Sequence, residues 1–394
     1  MLEIGEFISA AYCTKLLADL GADVIKLEST GGDRARSFGP FQGDVPHPEK
    51  SGLFFYLNSN KRGMTADLGK PTARAILKQL AREADVVVEN TPPGYIERLG
   101  IGYSNLRRLN PAIIVTSIST FGRSGPYCNY RGSDLTSWHA SSAGHRYLGF
   151  PGREPLRGAW YQASYWGAVN AAAATMLALS ARRRIGVGQQ VDISEAESIA
   201  TLFIGHELVT LFFDTGETAV RAGDKSRARA PSGLLPCKDG YVHIIAAQQH
   251  HWQGLVKAMG EPDWAKDQIF NTSGWERVQY AAELYDLLSE WSLAHTKEEI
   301  FKVCQDNHVP VTPVYNVAEL VDSQHLHERC YFAECDHPLA GRWRVPGAPY
   351  KLTETPWQLD TQAPCLGEHN ESVLCGRLGF SKRELASLVK SGVI

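Results

Sequence analysis

Cysteine and methionine are scarce in this 394-residue sequence, with eight and four copies. Eight thiols over that length are too few for a disulfide scaffold. The closest pair, Cys330 and Cys335, has no second pair beside it, so zinc-site spacing is missing and reduced thiols are expected. Neither sign of charge dominates, because 40 Lys plus Arg against 43 Asp plus Glu leave a formal net charge of −3. A basic domain that tracks a nucleic-acid backbone is therefore not expected. Long apolar runs are missing as well. Trp166–Ser180 is closed by Arg182-Arg183-Arg184, and Ser198–Phe213 contains His206 and Glu207, so neither is long enough for a membrane span. Met1-Leu2-Glu3-Ile4-Gly5-Glu6 has no basic n-region of the secretory kind. These absences predict a soluble cytoplasmic protein with no membrane or nucleic-acid partner.

The usual nucleotide and hydrolase motifs are missing too. No Gly-x-x-x-x-Gly-Lys-Ser/Thr loop occurs, and no Gly-x-Ser-x-Gly elbow. Gly100-Ile101-Gly102 has Asn105 where a third glycine would stand, and Gly186-Val187-Gly188 precedes a strand pattern instead of opening a helix. The His250-His251 and His325/His327 pairs lack the spacing of a metal site, so no metal is expected.

What is present is alternation. Tyr12–Leu20 reads as a helix stopped by Gly21, and Asp23–Glu28 as a short strand. A helix over about 71–83 precedes Asp85-Val86-Val87-Val88-Glu89, and an Arg/Leu-rich helical stretch precedes Ile113-Ile114-Val115-Thr116-Ser117. Short β-branched runs separated by helices imply parallel strands with helical crossovers, hence an α/β fold. The Ala-rich stretch 163–182 reads as a long helix, apolar nearly all round and so central. Ser194-Glu195-Ala196-Glu197 fits a capping box that starts the next helix. Residues 1–214 are expected to form the first part of a large domain, 215–236 a linker, 237–312 a small domain, and 313–394 the return to the large one. In the small domain, Tyr241–Ala246 reads as a strand and about 250–259, 277–293 and 297–307 as helices, with Thr296-Lys297-Glu298-Glu299 a second capping box. Beyond Pro313 the pattern is Pro/Gly-rich until a last helix near 381–390.

Longer phrases say more. Tyr12 to Glu28, with Leu20-Gly21-Ala22-Asp23-Val24-Ile25-Lys26-Leu27-Glu28 and then Gly31-Gly32-Asp33, resembles the opening of the class III CoA-transferases, the CaiB/BaiF family. That family includes formyl-CoA transferase, L-carnitine CoA-transferase and α-methylacyl-CoA racemase. The resemblance runs through Asn58-Ser59-Asn60-Lys61-Arg62, Ala84–Asn90, Pro93-Gly94 with Arg98-Leu99-Gly100, and Phe121–Pro126. It continues in Gly188–Ser194, Asp336-His337-Pro338 and Pro364–Asn370, so it spans essentially the whole chain in order. It implies a Rossmann-like large α/β domain built from both chain ends, an inserted smaller α/β domain, and two chains interlocked as linked rings. Family members carry several residues before the stretch matching Leu2-Glu3-Ile4-Gly5. Two expectations follow and stay open: a start downstream of the native one, or an altered sheet edge.

CoA presents an adenine and several phosphates, so its site needs apolar walls and fixed positive charge. The resemblance places the family's CoA contacts on Phe7, Ala66, Gly69, Asn90, Thr91, Arg98 and Arg131. Ser29 stands where relatives often have a basic residue. Coenzyme A or acyl-CoA is then a substrate, and no permanently bound cofactor is implied. Relatives use an Asp carboxylate that attacks the thioester and then carries CoA as an enzyme thioester, a role open only to an acyl carbon. Here that position reads as Ser164, in Tyr161-Gln162-Ala163-Ser164-Tyr165-Trp166-Gly167. A serine hydroxyl cannot carry CoA as a thioester. Asp134 is the nearest substitute, with a structural carboxylate as its plainer reading. The racemase branch uses a His and an Asp as its acid/base pair, and the matching positions are Ser133 and the Ser164 region, which disfavours racemisation. His139 and His145 lie near but off that position. Three readings remain open. The chain is an active transferase with a rearranged nucleophile, the non-catalytic subunit of a two-subunit transferase such as the benzylsuccinate type, or a CoA-ester-binding protein without transfer chemistry. The expected partners are a CoA thioester, a carboxylic acid, and either a second copy or a paralogous subunit.

Overall fold

The computed structural model describes residues 1–203, 211–221, 223–226 and 228–394. The chain divides into two compact units. The first comprises Met1–Gly144, Arg157–Glu217 and Arg329–Ile394, and the second His145–Leu156 and Thr218–Glu328.

In the first unit, β1 (Leu2–Ile4), α1 (Ser9–Ala18), β2 (Val24–Glu28), α2 (Gly52–Asn58), β3 (Lys61–Thr65), α3 (Pro71–Glu83) and β4 (Val86–Glu89) follow one another. Then come α4 (Tyr103–Leu109), β5 (Ile114–Ser119), α5 (Asp134–Ala140), α6 (Gln162–Ile185), β6 (Gln190–Ser194) and α7 (Glu195–Phe203). The six strands pair in parallel in the order β3-β2-β1-β4-β5-β6. A parallel sheet is covered on both faces, so its strands read as continuous apolar runs, and Val86, Val87 and Val88 are wholly buried. The helix α3 shows how the pattern acts locally. Pro71 at its first position costs no hydrogen bond, and Ala73, Ile76, Leu77, Leu80 and Ala81 fall on one buried face.

The three-residue β1 is not at an edge. It pairs with both β2 and β4 in the middle of the sheet, so the altered-edge expectation does not hold. Its central residue, Glu3, is fully buried between Lys26 Nζ at 2.6 Å and Lys61 Nζ at 2.8 Å, and Thr14 Oγ1 donates to it at 2.6 Å. Burial alone would raise a carboxyl, but the two lysines win and hold Glu3 down at about 2. Lys26 also reaches Asp33 Oδ2 at 2.7 Å. Asp33 Oδ1 in turn accepts the amides of Phe7 at 2.9 Å and Ala35 at 2.7 Å. This buried chain of charges fixes the turn that follows β1.

The helix α6 departs from the sequence expectation. Ala163, Ser164, Gly167, Ala168, Ala171, Ala172, Thr175 and Ala178 are buried, but Val169, Met176 and Leu177 are exposed in the single chain. Alanine on every side hides the difference between the covered and uncovered faces. The helix ends at Gly186, whose φ of 75° is the left-handed cap that glycine adopts without strain.

The second unit holds an antiparallel sheet, β7 (Ser232–Cys237), β8 (Gly240–Ile245) and β9 (Val311–Pro313), with α8 (Gln249–Ala258), α9 (Ala281–Ser292) and α10 (Lys297–Asp306). The strand β7 begins inside the stretch read as a linker, and residues up to Glu328 stay with this unit beyond the expected boundary at 312. Residues 145–156 also belong here: Arg221 donates to the carbonyls of His145, Phe150 and Arg153. The chain returns to the first unit through a hairpin, β10 (Phe332–His337) and β11 (Gly341–Pro346), and a last helix, α11 (Lys382–Lys390). Among the described residues no helix is long and apolar enough to cross a membrane.

Candidate active site

Where an open parallel sheet reverses its strand order, the loops beyond the strand ends splay apart and leave a crevice. Here the reversal lies between β1 and β4. A cavity of about 820 Å³ opens there, lined entirely by residues of the first unit. The turn after β1 supplies Glu6, Phe7 and Ser9, the turn after β4 supplies Asn90 and Thr91, and the segment after β5 supplies Phe121, Arg131 and Asp134.

The two central turns are stitched together by one side chain. Asn90 Oδ1 accepts the Glu6 amide at 3.0 Å, and its Nδ2 donates to Glu6 O at 2.8 Å and Ser9 Oγ at 3.0 Å. Gly5 makes this approach feasible, because a Cβ there would lie 2.6 Å from Asn90 Oδ1 and 2.5 Å from Ala10 Cβ. Phe7, with φ of 68°, turns its ring into the cavity, edge-on to Tyr161 at 4.8 Å and beneath the Arg34 guanidinium at 4.2 Å. Thr91 is anchored by Glu89, whose Oε2 accepts its amide at 2.8 Å and its hydroxyl at 2.5 Å. Burial nevertheless raises Glu89 above the ordinary glutamate range, against those bonds and the Arg123 guanidinium.

Three guanidinium groups, Arg34, Arg131 and Arg157, line this cavity, and all three residues are exposed. Aromatic rings of Phe121, Tyr130, Trp138 and Trp160 complete much of the wall. Fixed cations beside flat apolar rings suit a ligand that joins phosphates to an aromatic base.

Two carboxyls lie beside Ser164. Asp134, the first residue of α5, accepts the Ser164 amide through Oδ1 at 2.9 Å, so its charge faces the N-terminus of α6 as well as its own helix. Burial raises Asp134 despite these amides. Glu195, the first residue of α7 directly after β6, is 7% exposed; Ser137 Oγ donates to its Oε2 at 3.4 Å, and the hydroxyls of Ser9 and Ser164 lie near it. Burial raises Glu195 first, and the neighbouring Asp134 adds to the shift.

The model of CoA-transferase family III matches residues 1–370. The chain belongs to that family. A succinyl-CoA–D-citramalate CoA-transferase of Chloroflexus aurantiacus is 33% identical to this family III chain over all of it and 96% of that protein. A succinyl-CoA:(R)-benzylsuccinate CoA-transferase subunit, BbsE, of Thauera aromatica is 33% identical over 97% of this chain and 94% of its own length. Among solved structures, a CaiB/BaiF family protein from Brucella suis superposes with a TM-score of 0.85 at 27% identity, covering 95% of this chain and 97% of that one.

The cavity of this family III chain brings together six of the nine residues singled out from sequence: Phe7, Asn90, Thr91, Arg131, Asp134 and Ser164. Ala66, Gly69 and Arg98 do not line it. Ala66 is buried just past β3, and Gly69 is exposed in the turn before α3. Arg98 folds back on its own turn, its Nη1 3.1 Å from a Cβ built at Gly94, one residue past the cavity-lining Pro93. Ser29 is occupied locally, donating to Gly32 O at 3.0 Å. His139 and His145 do not line the cavity, and Ser133 precedes α5 with its amide on Thr136 Oγ1 at 2.7 Å. Among the described residues no group of His, Cys, Asp and Glu is arranged to hold a metal ion.

Sequence reading missed Arg34, Arg157 and Glu195. Arg34 directly follows the quoted Gly31-Gly32-Asp33, which was its only signal. Glu195 was absorbed into a capping box; the cap exists, with the Glu197 amide on Ser194 Oγ at 3.2 Å, but the Glu195 side chain turns the other way into the cavity wall.

Proposed function

We propose that this chain binds a CoA thioester in the cavity between the β1 and β4 turns and takes part in moving CoA to a carboxylic acid. The observation that carries this reading is the cavity itself: three guanidinium groups and several aromatic rings at the strand-order reversal of a family III sheet. A soluble CoA ester and reduced thiols fit work in the cytoplasm. Calorimetric titration with CoA and with succinyl-CoA tests it, and saturable one-to-one binding is expected. Failure of both to bind the folded protein overturns the reading.

The assembly we propose is an interlocked pair, with the second member either another copy or a paralogous chain. Serine at 164 supports the paralogous arrangement, in which the partner supplies the carboxylate and this chain is the non-catalytic subunit. The likeness to BbsE, itself named a subunit, points the same way. A threaded pair separates only by partial unfolding, so it persists on dilution. A monomer in sedimentation at nanomolar concentration removes the interlock. A second reading, in which this chain has its own carrier, is favoured by the buried Glu195.

A further inference from the structure

The cavity lining contains three carboxyls, Glu6, Asp134 and Glu195. Glu6 is exposed beside the Asn90 stitch. Asp134 is committed to the amide at the start of α6. Glu195 is different. It is buried, and among the described residues no lysine or arginine is paired with it; Ser137 Oγ donates to it at 3.4 Å, and the hydroxyls of Ser9 and Ser164 lie near. A buried carboxyl without a cation carries a desolvation cost, and groups of this kind cluster in functional clefts.

Its place is also specific. Ser164 and Gly167 lie one turn apart on the buried face of α6. A Cβ on Gly167 would stand 2.9 Å from Glu195 Cγ, so the missing side chain leaves the gap through which Glu195 passes. From the first position of α7 its side chain thus runs past α6 into the cavity wall that Ser164 shares. We propose that Glu195 is the carboxylate that accepts CoA in this chain, the nucleophile having moved from the start of α6 to the start of α7.

The chemistry balances without any further reagent. A Glu195 carboxylate oxygen attacks the thioester carbonyl, the C–S bond breaks, and CoA departs as thiolate, leaving a mixed anhydride. The thiolate attacks the glutamyl carbonyl and breaks the anhydride C–O bond. The donor acid leaves as carboxylate, and CoA remains as a glutamyl thioester. The acceptor carboxylate attacks that thioester and again expels the thiolate. Attack of the thiolate on the acceptor's carbonyl releases the new CoA ester and restores Glu195. Serine hydroxyls around the carboxyl are donors suited to the oxyanion formed at its carbon.

This inference rests on the reading that a CoA thioester enters the cavity. The test incubates the purified protein, or its complex if a paralogous chain co-purifies, with succinyl-, acetyl- and benzoyl-CoA. The adduct is trapped with hydroxylamine or borohydride and mapped by peptide mass spectrometry. The expected results are modification at Glu195, its loss to background in Glu195→Gln with CoA binding retained, and its persistence in Glu197→Gln. If Glu195→Gln does not fold, the site mapped in the wild-type protein decides by itself. Binding of a thioester with no adduct, or an adduct on Asp134 or on a partner chain, overturns the role of Glu195 and leaves the binding reading standing. Absence of any binding overturns the binding reading, and this inference with it.

Discussion

Placing an aspartate at position 164 is the substitution that the family resemblance suggests first, and the structure predicts that it is costly. Ser164 is 8% exposed, its amide donates to Asp134 Oδ1 at 2.9 Å, and Glu195 shares its part of the cavity wall. A carboxyl in its place would stand within roughly 4–5 Å of both acids, where each pair of charges repels by about 3–4 kcal/mol at an effective dielectric near 20. Burial already lifts Asp134 and Glu195 above their ordinary values. The added group therefore takes up a proton instead of ionising beside them. A carboxyl raised in the folded state binds its proton more tightly there than in the unfolded chain, so stability falls as pH rises above the unfolded value of about 4. Ser164→Asp should be about 2–4 kcal/mol less stable than the neutral Ser164→Asn near pH 8, and the gap should narrow near pH 5. Urea denaturation of the two variants across that range measures it. Equal stability at every pH would mean that position 164 does not face two carboxyls, and the site geometry would be wrong.

Other substitutions probe the rest of the site. Arg131→Ala, inside the cavity, should weaken CoA binding about ten-fold through loss of a phosphate contact; unchanged affinity by calorimetry removes it from the site. Arg98→Ala, outside the cavity lining, should leave that affinity unchanged. Asn90→Ala breaks three hydrogen bonds between the β1 and β4 turns and should cost about 1–3 kcal/mol in denaturation, with CoA affinity falling alongside because the cavity wall loosens. Glu3→Gln leaves two buried lysines short of a counter-charge and should cost about 3–5 kcal/mol. In the wild-type protein Glu3 is held at about 2, so its contribution is present above the ordinary carboxylate range and is lost as pH falls toward that value. Acid denaturation of Glu3→Gln should accordingly be flatter than that of the wild type, and parallel curves would refute the assignment.

The parallel strands were legible because they are apolar and β-branched. Val86-Val87-Val88 and Ile114-Val115 announce buried strands whatever surrounds them. The strand β3, Lys61–Thr65, carried no such signal, since Lys61 and Gly63 in a strand make sense only beside Glu3 and Pro364. The hairpin β10–β11 alternates exposed charge with partly buried side chains, and its prolines and glycines read as irregular chain. In the second unit, β7 contains Gly233 and Pro236, which hid a strand that pairs along its whole length with β8. The helix α6 was found almost to its ends, but composition could not tell which of its alanines are covered.

The candidate site divides along the same physical line. Residues in the turns directly after β1 and β4 could be transferred from a family pattern, because the sheet fixes where a strand ends and the turn begins. The carboxyl chemistry could not, because it depends on which side chain reaches a point in space. Position 164 lies at the start of α6 and position 195 at the start of α7, and no spacing rule connects them. Gly167 connects them instead: without a side chain there, Glu195 extends past α6 from the first position of α7 into the cavity wall. Positions 164, 167 and 195 therefore have to be read together: the glycine opens a gap, and the glutamate passes it into the cavity wall that Ser164 shares.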